Sequence, residues 1–255
     1  MCLIAFALDC HPRYSLILIA NRDEYRSRGT DAACFWPDVP QVLAGRDREA
    51  GGTWLGITTD GRVAAVTNYR DLRCQAPDTP PSRGGMVAGY LTNRSLKDAE
   101  YAGRLEHTAA GYDGFNLIYG NVTTLQYATN RGGSSGSVPP GVHALSNHLL
   151  DSPWPKVVRA RELLAGVLGQ TRLDPEELAG LLYDPAPFND RLLPDTGIGM
   201  ERERLLSPLF IEGDVYGTRS TSVILADRNG SITYLEQRHD VPEEPAGIFT
   251  FSLQP

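Results

Sequence analysis

The first twenty residues constrain the fold most, because they contain two apolar runs that are apolar on both faces. The runs comprise residues 2–8 and 15–21, and the turn-rich segment 9–14 separates them, a pattern typical of a β-hairpin. Side chains alternate between the two faces of a strand, and here both alternating sets are apolar. We therefore predict strands that are covered on both sides, as in a multilayer fold.

Further strands and helices alternate along the rest of the chain. Short apolar runs joined by turn residues predict three more hairpins and a lone strand around His143. Capping residues and prolines indicate where helices begin, as with Ser95 and Asp98, Ser152-Pro153, and Asp174-Pro175. The predicted hairpins comprise residues 54–59 with 62–68, 115–120 with 124–129, and 220–226 with 232–236. The predicted helices comprise residues 84–92, 96–110, 154–168 and 176–183.

Two long segments are predicted to be loops: residues 71–83, which contain three prolines, and residues 184–217. Helix pairs packed outside two antiparallel sheets satisfy the burial of both strand faces. The fold prediction is therefore an α+β protein, a four-layer αββα sandwich of two antiparallel sheets. With 255 residues and no evident linker, we expect one domain over residues 1–255.

Charge and cysteine content exclude several function classes. The net charge of −7 repels a polyanion, so nucleic acid is not an expected partner. No apolar run approaches the roughly 20 residues of a membrane span, and the N-terminus lacks a signal-peptide pattern. Four cysteines without a C-x-x-C pair indicate a reducing compartment, and five histidines show no metal-ligand spacing. We expect a cytoplasmic protein without a metal site.

Residues 21–24, Asn-Arg-Asp-Glu, end the second buried strand with four polar groups that need partners if they are buried. The alternative is a strand that emerges into solvent at this point. With the hairpin turn centred between His11 and Pro12, paired residue numbers sum to about 23. This register predicts that Cys2 lies opposite Asn21 and next to Arg22.

Cys2 becomes chemically versatile if Met1 is removed. A thiol with a pKa of about 8.5 and an α-amine with a pKa of about 8 would then share one residue, so the amine can accept the thiol proton. Arg22 can stabilise the thiolate, and Asp23 can orient the ammonium group. The alternative is that Met1 is retained and Cys2 is an ordinary cysteine.

Five segments of the chain together carry a resemblance to a known family: Met1-Cys2 and residues 21–24, 52–56, 66–70 and 216–221. They resemble the NRDE family, the group that includes transport and Golgi organisation protein 2. This family is in turn distantly similar to N-terminal nucleophile hydrolases of the choloylglycine hydrolase and penicillin V acylase type, which have an αββα sandwich and a catalytic N-terminal cysteine.

The resemblance implies catalytic roles for five residues. Cys2 is the expected nucleophile, Arg22 its electrostatic partner, and Asp23 the group that positions the amine. Asn68 corresponds to an oxyanion-hole asparagine and Asn147 to a second, supporting asparagine. Those acylases separate the arginine and the aspartate by two residues, whereas here the two are adjacent, so either Asp23 or its neighbour Glu24 fills the acid role.

Substrate contacts are expected at Glu24, Trp54, Tyr69 and Arg219, the last being either a ligand for a substrate anion or part of a structural ion pair. The implied activity is that of a hydrolase or acyltransferase that cleaves an amide or thioester bond of a small molecule, with no cofactor. The alternative is a non-enzymatic carrier of haem or acyl-CoA on the same fold, because a fold does not fix a function.

Overall fold

The computed structural model describes residues 2–241 and 243–253, so Met1 and its predicted removal lie outside the described residues. Within these ranges the chain forms thirteen strands and five α-helices. The strands are β1 (Cys2–Leu8), β2 (Tyr14–Tyr25), β3 (Thr30–Trp36), β4 (Val39–Asp47), β5 (Leu55–Thr58), β6 (Arg62–Asn68), β7 (Phe115–Asn121), β8 (Thr124–Thr129), β9 (Gly136–Ser137), β10 (Gly141–Leu145), β11 (Tyr216–Asp227), β12 (Ser231–Arg238) and β13 (Gly247–Ser252). The helices are α1 (Gly84–Thr92), α2 (Asp98–Thr108), α3 (Pro155–Val167), α4 (Pro175–Gly180) and α5 (Met200–Leu205).

The strands form two antiparallel sheets. The first sheet has the order β10-β1-β2-β11-β12-β13, and the second has the order β3-β4-β5-β6-β7-β8-β9. The N-terminal hairpin therefore lies at the centre of the first sheet, between β10 and β11. The hairpin β5–β6 holds the corresponding central place in the second sheet.

Alternate residues of the central strands pack in different layers, as the two-sided apolar pattern predicts. Ile4 and Leu18 face the core between the sheets, where they join residues such as Ile57 of the second sheet. Leu3 and Ile19 face outward and pack with α3 and α4. Helices α1 and α2 cover the outer face of the second sheet. The structure is the predicted αββα sandwich.

The predicted elements are present, but their ends differ in places. The bounds of β1 and α1 are those predicted, while β2 continues four residues further, to Tyr25. The hairpin β3–β4 and strand β13 were not predicted. The burial pattern of β3 explains part of this, because most of its residues are exposed and the strand lies at the edge of its sheet.

Helix starts follow the predicted chemistry only at α4, where Asp174 accepts hydrogen bonds from the main-chain N–H groups of Glu176 and Glu177. The prediction of a capping box at the start of α2 is wrong, because no side chain caps this helix. Asp98 instead accepts a hydrogen bond from the Tyr90 hydroxyl at 2.6 Å. Helix α3 begins at Pro155 without a side-chain cap from Ser152.

Candidate functional site

Cys2 lies directly opposite Arg22 in the β1–β2 ladder, one residue from the predicted register. Paired residue numbers sum to 24 along this ladder, so Asn21 is opposite Leu3 instead. By the alternation of side chains, Cys2 and Arg22 share the face of Ile4 and point between the two sheets. The hairpin thus brings a thiol and a guanidinium together at the end of the intersheet core.

A cleft of about 320 Å³ opens at this point between the sheets. Its wall includes Cys2 and residues from both sheets and from the proline-containing loop 71–83. The cleft is lined by Cys2, Arg22, Asp23, Glu24, Arg28, Thr30, Gly45, Asp47, Thr53, Trp54, Val66, Asn68, Pro80, Pro81, Ser82, Arg83, Gly84 and Asp113.

Cys2 is a buried part of the cleft lining, with 8 % of the residue exposed. Burial raises the pKa of Cys2 to about 11, and the neighbouring charge of Asp23 acts in the same direction, whereas Arg22 lowers the pKa. A buried thiol of this kind is neutral near pH 7, and it needs a base before it can act as a nucleophile.

The guanidinium of Arg22 is also buried, with 7 % of the residue exposed. It forms an ion pair with Asp47, whose Oδ2 is 3.8 Å from Nη2. Asp47 bonds more closely to Arg28, at 2.6 Å. Among the described residues the Arg22 guanidinium donates no hydrogen bond, so its N–H groups are available to a bound ligand in the cleft.

A β-bulge in β11 lies next to Asp23, the first of the two adjacent acids. Asp23 pairs with Thr218 and Arg22 with Ser220, so the bulge occurs at Arg219. The hydroxyl of Thr218 donates to Oδ1 of Asp23 at 2.7 Å. Such bulges often re-aim side chains beside active sites. Both candidate acids line the cleft, but Asp23 is buried and Glu24 is only half-buried.

The environment of Asp23 has opposing effects on its charge. Burial raises the pKa of Asp23, and the positive charge of Lys156 on α3 lowers it. Burial also lowers the pKa of Lys156 to about 8, and its ammonium group donates to the Leu206 carbonyl at 3.0 Å. A buried cation behind the carboxylate thus favours its ionised form.

The two candidate asparagines occupy different positions. Asn68, at the end of β6, lines the cleft. Asn147 is fully buried outside the lining, and its amide donates to the main-chain carbonyl of Asn68 at 3.0 Å. The Ser146 hydroxyl lies 3.0 Å from the Cys2 carbonyl and 3.1 Å from Oδ1 of Asn147. Asn147 and Ser146 therefore join the chain around Cys2 to the chain around Asn68.

Of the four expected substrate contacts, two line the cleft and two do not. Trp54 and Glu24 line the cleft. Tyr69 instead stacks on His148, with ring centroids 5.1 Å apart. Arg219 forms a buried ion pair with Asp240 and donates to main-chain carbonyls of the β2–β3 connection. Its geometry is that of a structural ion pair, away from the cleft lining.

Sequence reasoning did not identify four charged residues of the cleft: Arg28, Asp47, Arg83 and Asp113. Arg28 and Asp47 belong to the β2–β3 connection and to the unpredicted strand β4, so no prediction placed them near Cys2. Arg83 ends the predicted loop 71–83 and donates to the Gly114 carbonyl at 2.9 Å. Proline content pointed to the loop, but no residue pattern indicated that it closes one side of the cleft.

The model of the family described as Transport and Golgi organisation 2 (TANGO2) matches residues 1–240. This chain belongs to the TANGO2 family. Over 278 residues it is 34 % identical to the Transport and Golgi organization 2 homolog of Mus musculus, with 100 % of both proteins covered. It is 28 % identical over 264 residues to Transport and Golgi organization protein 2 of Drosophila melanogaster, covering 93 % of this chain and 92 % of that protein.

The fold of this TANGO2-family protein is similar to that of a conjugated bile acid hydrolase from Clostridium perfringens. The crystal structure of the mutant C2A hydrolase has a TM-score of 0.52 and 10 % identity, covering 99 % of this chain and 92 % of that one. A second variant of the same hydrolase has a TM-score of 0.52 and 11 % identity, covering 100 % and 97 %. At these identities the similarity concerns the fold alone.

No helix in the described part of this TANGO2-family chain is long and apolar enough to cross a membrane.

Proposed function

We propose that this protein is a hydrolase or acyltransferase that acts on an amide or thioester bond of a small molecule. In this proposal, removal of Met1 makes Cys2 the N-terminal residue, and Cys2 is the nucleophile. The observation that carries the proposal is the position of Cys2, which is in the lining of a cleft and directly opposite Arg22. The cleft volume of about 320 Å³ lies at the low end of the roughly 300–1,000 Å³ of small-molecule sites.

The raised pKa of Cys2 explains why removal of Met1 matters to this proposal. With a pKa of about 11, the thiol is protonated at neutral pH. A free α-amine on the same residue accepts the thiol proton, and Asp23 holds the resulting ammonium group. Arg22 then stabilises the thiolate from the opposite strand.

The proposed reaction proceeds by acyl transfer. The sulfur of Cys2 forms a bond to the substrate carbonyl carbon, and the carbonyl electrons move to the oxygen. The side-chain amide of Asn68 donates to that oxyanion, while Asn147 acts as a positioning residue through the Asn68 carbonyl. The tetrahedral intermediate expels the amine or thiol, which takes the proton from the ammonium group. Water or an acceptor amine then cleaves the acyl-enzyme thioester and restores the thiol.

The similar fold of the conjugated bile acid hydrolase, crystallised as its C2A mutant, supports the proposal of a hydrolase. The alternative is a carrier of haem or acyl-CoA. The raised pKa of the buried thiol favours it if Met1 is retained, because Cys2 then has no base. No imidazole lines the cleft among the described residues, so Cys2 would be the ligand of haem iron in such a carrier.

The test combines mass spectrometry with turnover. We expect the intact mass to show loss of Met1, peptide mass spectrometry to locate the acyl adduct on Cys2, and Cys2→Ala to abolish hydrolysis of small acyl thioesters and amides. Cys10→Ala is the matched control, because Cys10 is exposed and its loss should leave hydrolysis unchanged. Unchanged hydrolysis in Cys2→Ala would contradict the nucleophile, while stoichiometric haem or acyl-CoA binding without turnover would establish the carrier.

A further inference from the structure

The N-terminal end of α1 opens onto the cleft that contains Cys2. Ser82, Arg83 and Gly84 line the cleft, and α1 begins at Gly84. Its first turn has no acidic residue and no side-chain cap, although Gly85 N–H donates to the Ser82 carbonyl at 3.0 Å. The partial positive charge at this end of the nine-residue helix is therefore not neutralised by the helix's own side chains.

Close packing fixes this helix end in place. A Cβ atom added to Gly52 would lie 2.5 Å from the Gly84 carbonyl carbon, and one added to Gly84 would lie 3.1 Å from the Thr53 carbonyl oxygen. Thr53, another lining residue, also donates its N–H to the Gly84 carbonyl at 3.3 Å. The start of α1 is thus a rigid part of the cleft wall.

Two guanidinium groups in the same cleft retain donors that the protein does not use. The Arg22 guanidinium is more than nine-tenths buried and donates no hydrogen bond among the described residues, although an Asp47 carboxylate oxygen lies 3.8 Å away. Arg83 donates to the neutral Gly114 carbonyl at 2.9 Å and reaches Asp113 only at 3.4 Å. Burial lowers the pKa of Arg83, because the charged guanidinium is poorly solvated at this position.

Four carboxylates and three guanidinium groups line the cleft, but most of the carboxylates have other partners. Asp47 accepts from Arg28 at 2.6 Å and from the main-chain N–H groups of residues 49 and 50, and it lies 3.8 Å from the Arg22 guanidinium. Asp113 accepts the Gly114 N–H at 2.6 Å, and Asp23 belongs to the proposed amine site. Glu24 is therefore the acid that competes with an anionic ligand for Arg22 and Arg83.

We infer that the cleft wall formed by Arg22, Arg83 and the N-terminal end of α1 binds an anionic group of the substrate, a carboxylate or a phosphate, close to the Cys2 sulfur. The inference deepens the proposed function by naming a substrate class, and it rests on that function only in calling the ligand a substrate. An acyl compound with a negatively charged substituent accepts hydrogen bonds from guanidinium N–H groups that the protein does not use.

The test compares alkylation of Cys2 by iodoacetate and by iodoacetamide at pH 9. In both reactions the sulfur displaces iodide and the thiol proton passes to the buffer, so only the reagent's charge differs. Cys10, exposed in the same chain, is the internal reference. We expect the iodoacetate-to-iodoacetamide rate ratio to be about tenfold higher at Cys2 than at Cys10, as one charge-assisted hydrogen bond provides. A ratio no higher than that of Cys10 overturns the inference.

Variants assign the effect to the helix end. Arg83→Met should lower the ratio at Cys2, Arg83→Lys should restore part of it, and Arg104→Met, on the exposed face of α2, should leave it unchanged. An unaltered ratio in Arg83→Met excludes Arg83 from the anion site. If Arg83→Met does not fold, the rate ratios of Cys2 and Cys10 in the unaltered chain still test whether the cleft binds an anion.

Equilibrium binding separates the two anion sources and the two proposals. In Cys2→Ala, which cannot react, acetate or inorganic phosphate should raise the melting temperature more than acetamide or chloride does at equal ionic strength. The anion with the larger effect identifies the group. Anion preference without any turnover would support the anion-binding site and contradict the hydrolase. Turnover without anion preference would support the hydrolase and contradict the anion-binding site.

Discussion

Cys2 and Arg22 face each other across the central hairpin of the first sheet, and the guanidinium is the cation that the fold places beside the thiol. We expect Arg22→Met to raise the thiol pKa and to slow alkylation of Cys2 at pH 8 by about tenfold, the effect of one pKa unit. Arg22→Lys should preserve most of the rate. Peptide mass spectrometry over a pH series measures both, and an unchanged pH–rate profile would contradict the assigned role.

Asn68 and Asn147 should differ in what their removal changes. Asn68→Ala keeps the main-chain carbonyl that Asn147 binds, so we expect kcat to fall by about 10²–10³ without loss of stability. Asn147→Ala removes that hydrogen bond from a fully buried position, and we expect a lower melting temperature as well as a lower kcat. Equal kcat in Asn68→Ala and the unaltered protein would exclude Asn68 from the oxyanion site.

How far the sequence predicts this site depends on which strand contributes each residue. The two-sided apolar pattern of β1 and β2 determined the layers and brought Cys2 close to Arg22. The exact register did not follow, because the turn between these strands includes several residues and its centre is uncertain by half a residue pair. An error of one residue in the register is important here, because it places Asn21 instead of Arg22 opposite Cys2.

The remaining cleft residues could not be predicted, since they depend on contacts between distant segments. The edge strand β3 is mostly exposed and has little alternation, so neither it nor the pairing that positions Asp47 was foreseen. Arg83 lines the cleft next to the point where Gly52 packs closely on Gly84, and a glycine pair more than thirty residues apart gives no local signal. The bulge at Arg219 likewise appears only once β2 and β11 are paired.

The buried ion pair between Arg70 and Glu203 should hold segment 184–217 to the end of β6. Glu203 accepts from Arg70 at 2.7 Å and from the Thr196 N–H at 3.0 Å. Glu203→Gln leaves the Arg70 charge without its buried counter-charge, and we expect a loss of about 3–5 kcal/mol in the free energy of unfolding. Urea denaturation measures this loss. Asp190→Asn, which disrupts an exposed pair with Arg204, is the control and should leave the midpoint unchanged.

His143 should make stability depend on pH. Its Nδ1 lies 2.7 Å from Asp151 Oδ2 and its Nε2 3.0 Å from the Pro139 carbonyl, so the imidazolium form can donate to both. The hydrogen bond to Asp151 raises the pKa of His143 above the unfolded value. The stabilisation is therefore complete below about pH 6.5 and is lost as the pH rises through the higher folded pKa.

The variant His143→Gln tests this direction. We expect its melting temperature to fall further below that of the unaltered protein at pH 6 than at pH 9, while Asp151 remains ionised at both. The pKa of Asp151 lies below its usual range despite burial, because hydrogen bonds from His143 and from the Ala144 N–H outweigh the burial. A melting-temperature gap that is equal at the two pH values would contradict the assignment.

Gly52 and Gly85 form a matched pair that tests how rigidly α1 bounds the cleft. A Cβ on Gly52 would meet the Gly84 backbone at 2.5 Å, whereas one on Gly85 would meet nothing within 4 Å. We expect Gly52→Ala to cost about 1–3 kcal/mol, because backbone must move, and Gly85→Ala to stabilise by about 0.4–1 kcal/mol through lower unfolded-state entropy. Thermal denaturation of both variants measures the difference.

The same displacement has a consequence at the cleft. If Gly52→Ala moves the start of α1, Arg83 moves with it, and the preference of Cys2 for iodoacetate over iodoacetamide should decrease while Gly85→Ala preserves it. A Gly52→Ala protein with unaltered stability and unaltered preference would show that the helix end adapts to its neighbours, and a rigid anion-binding wall could not then be the source of selectivity.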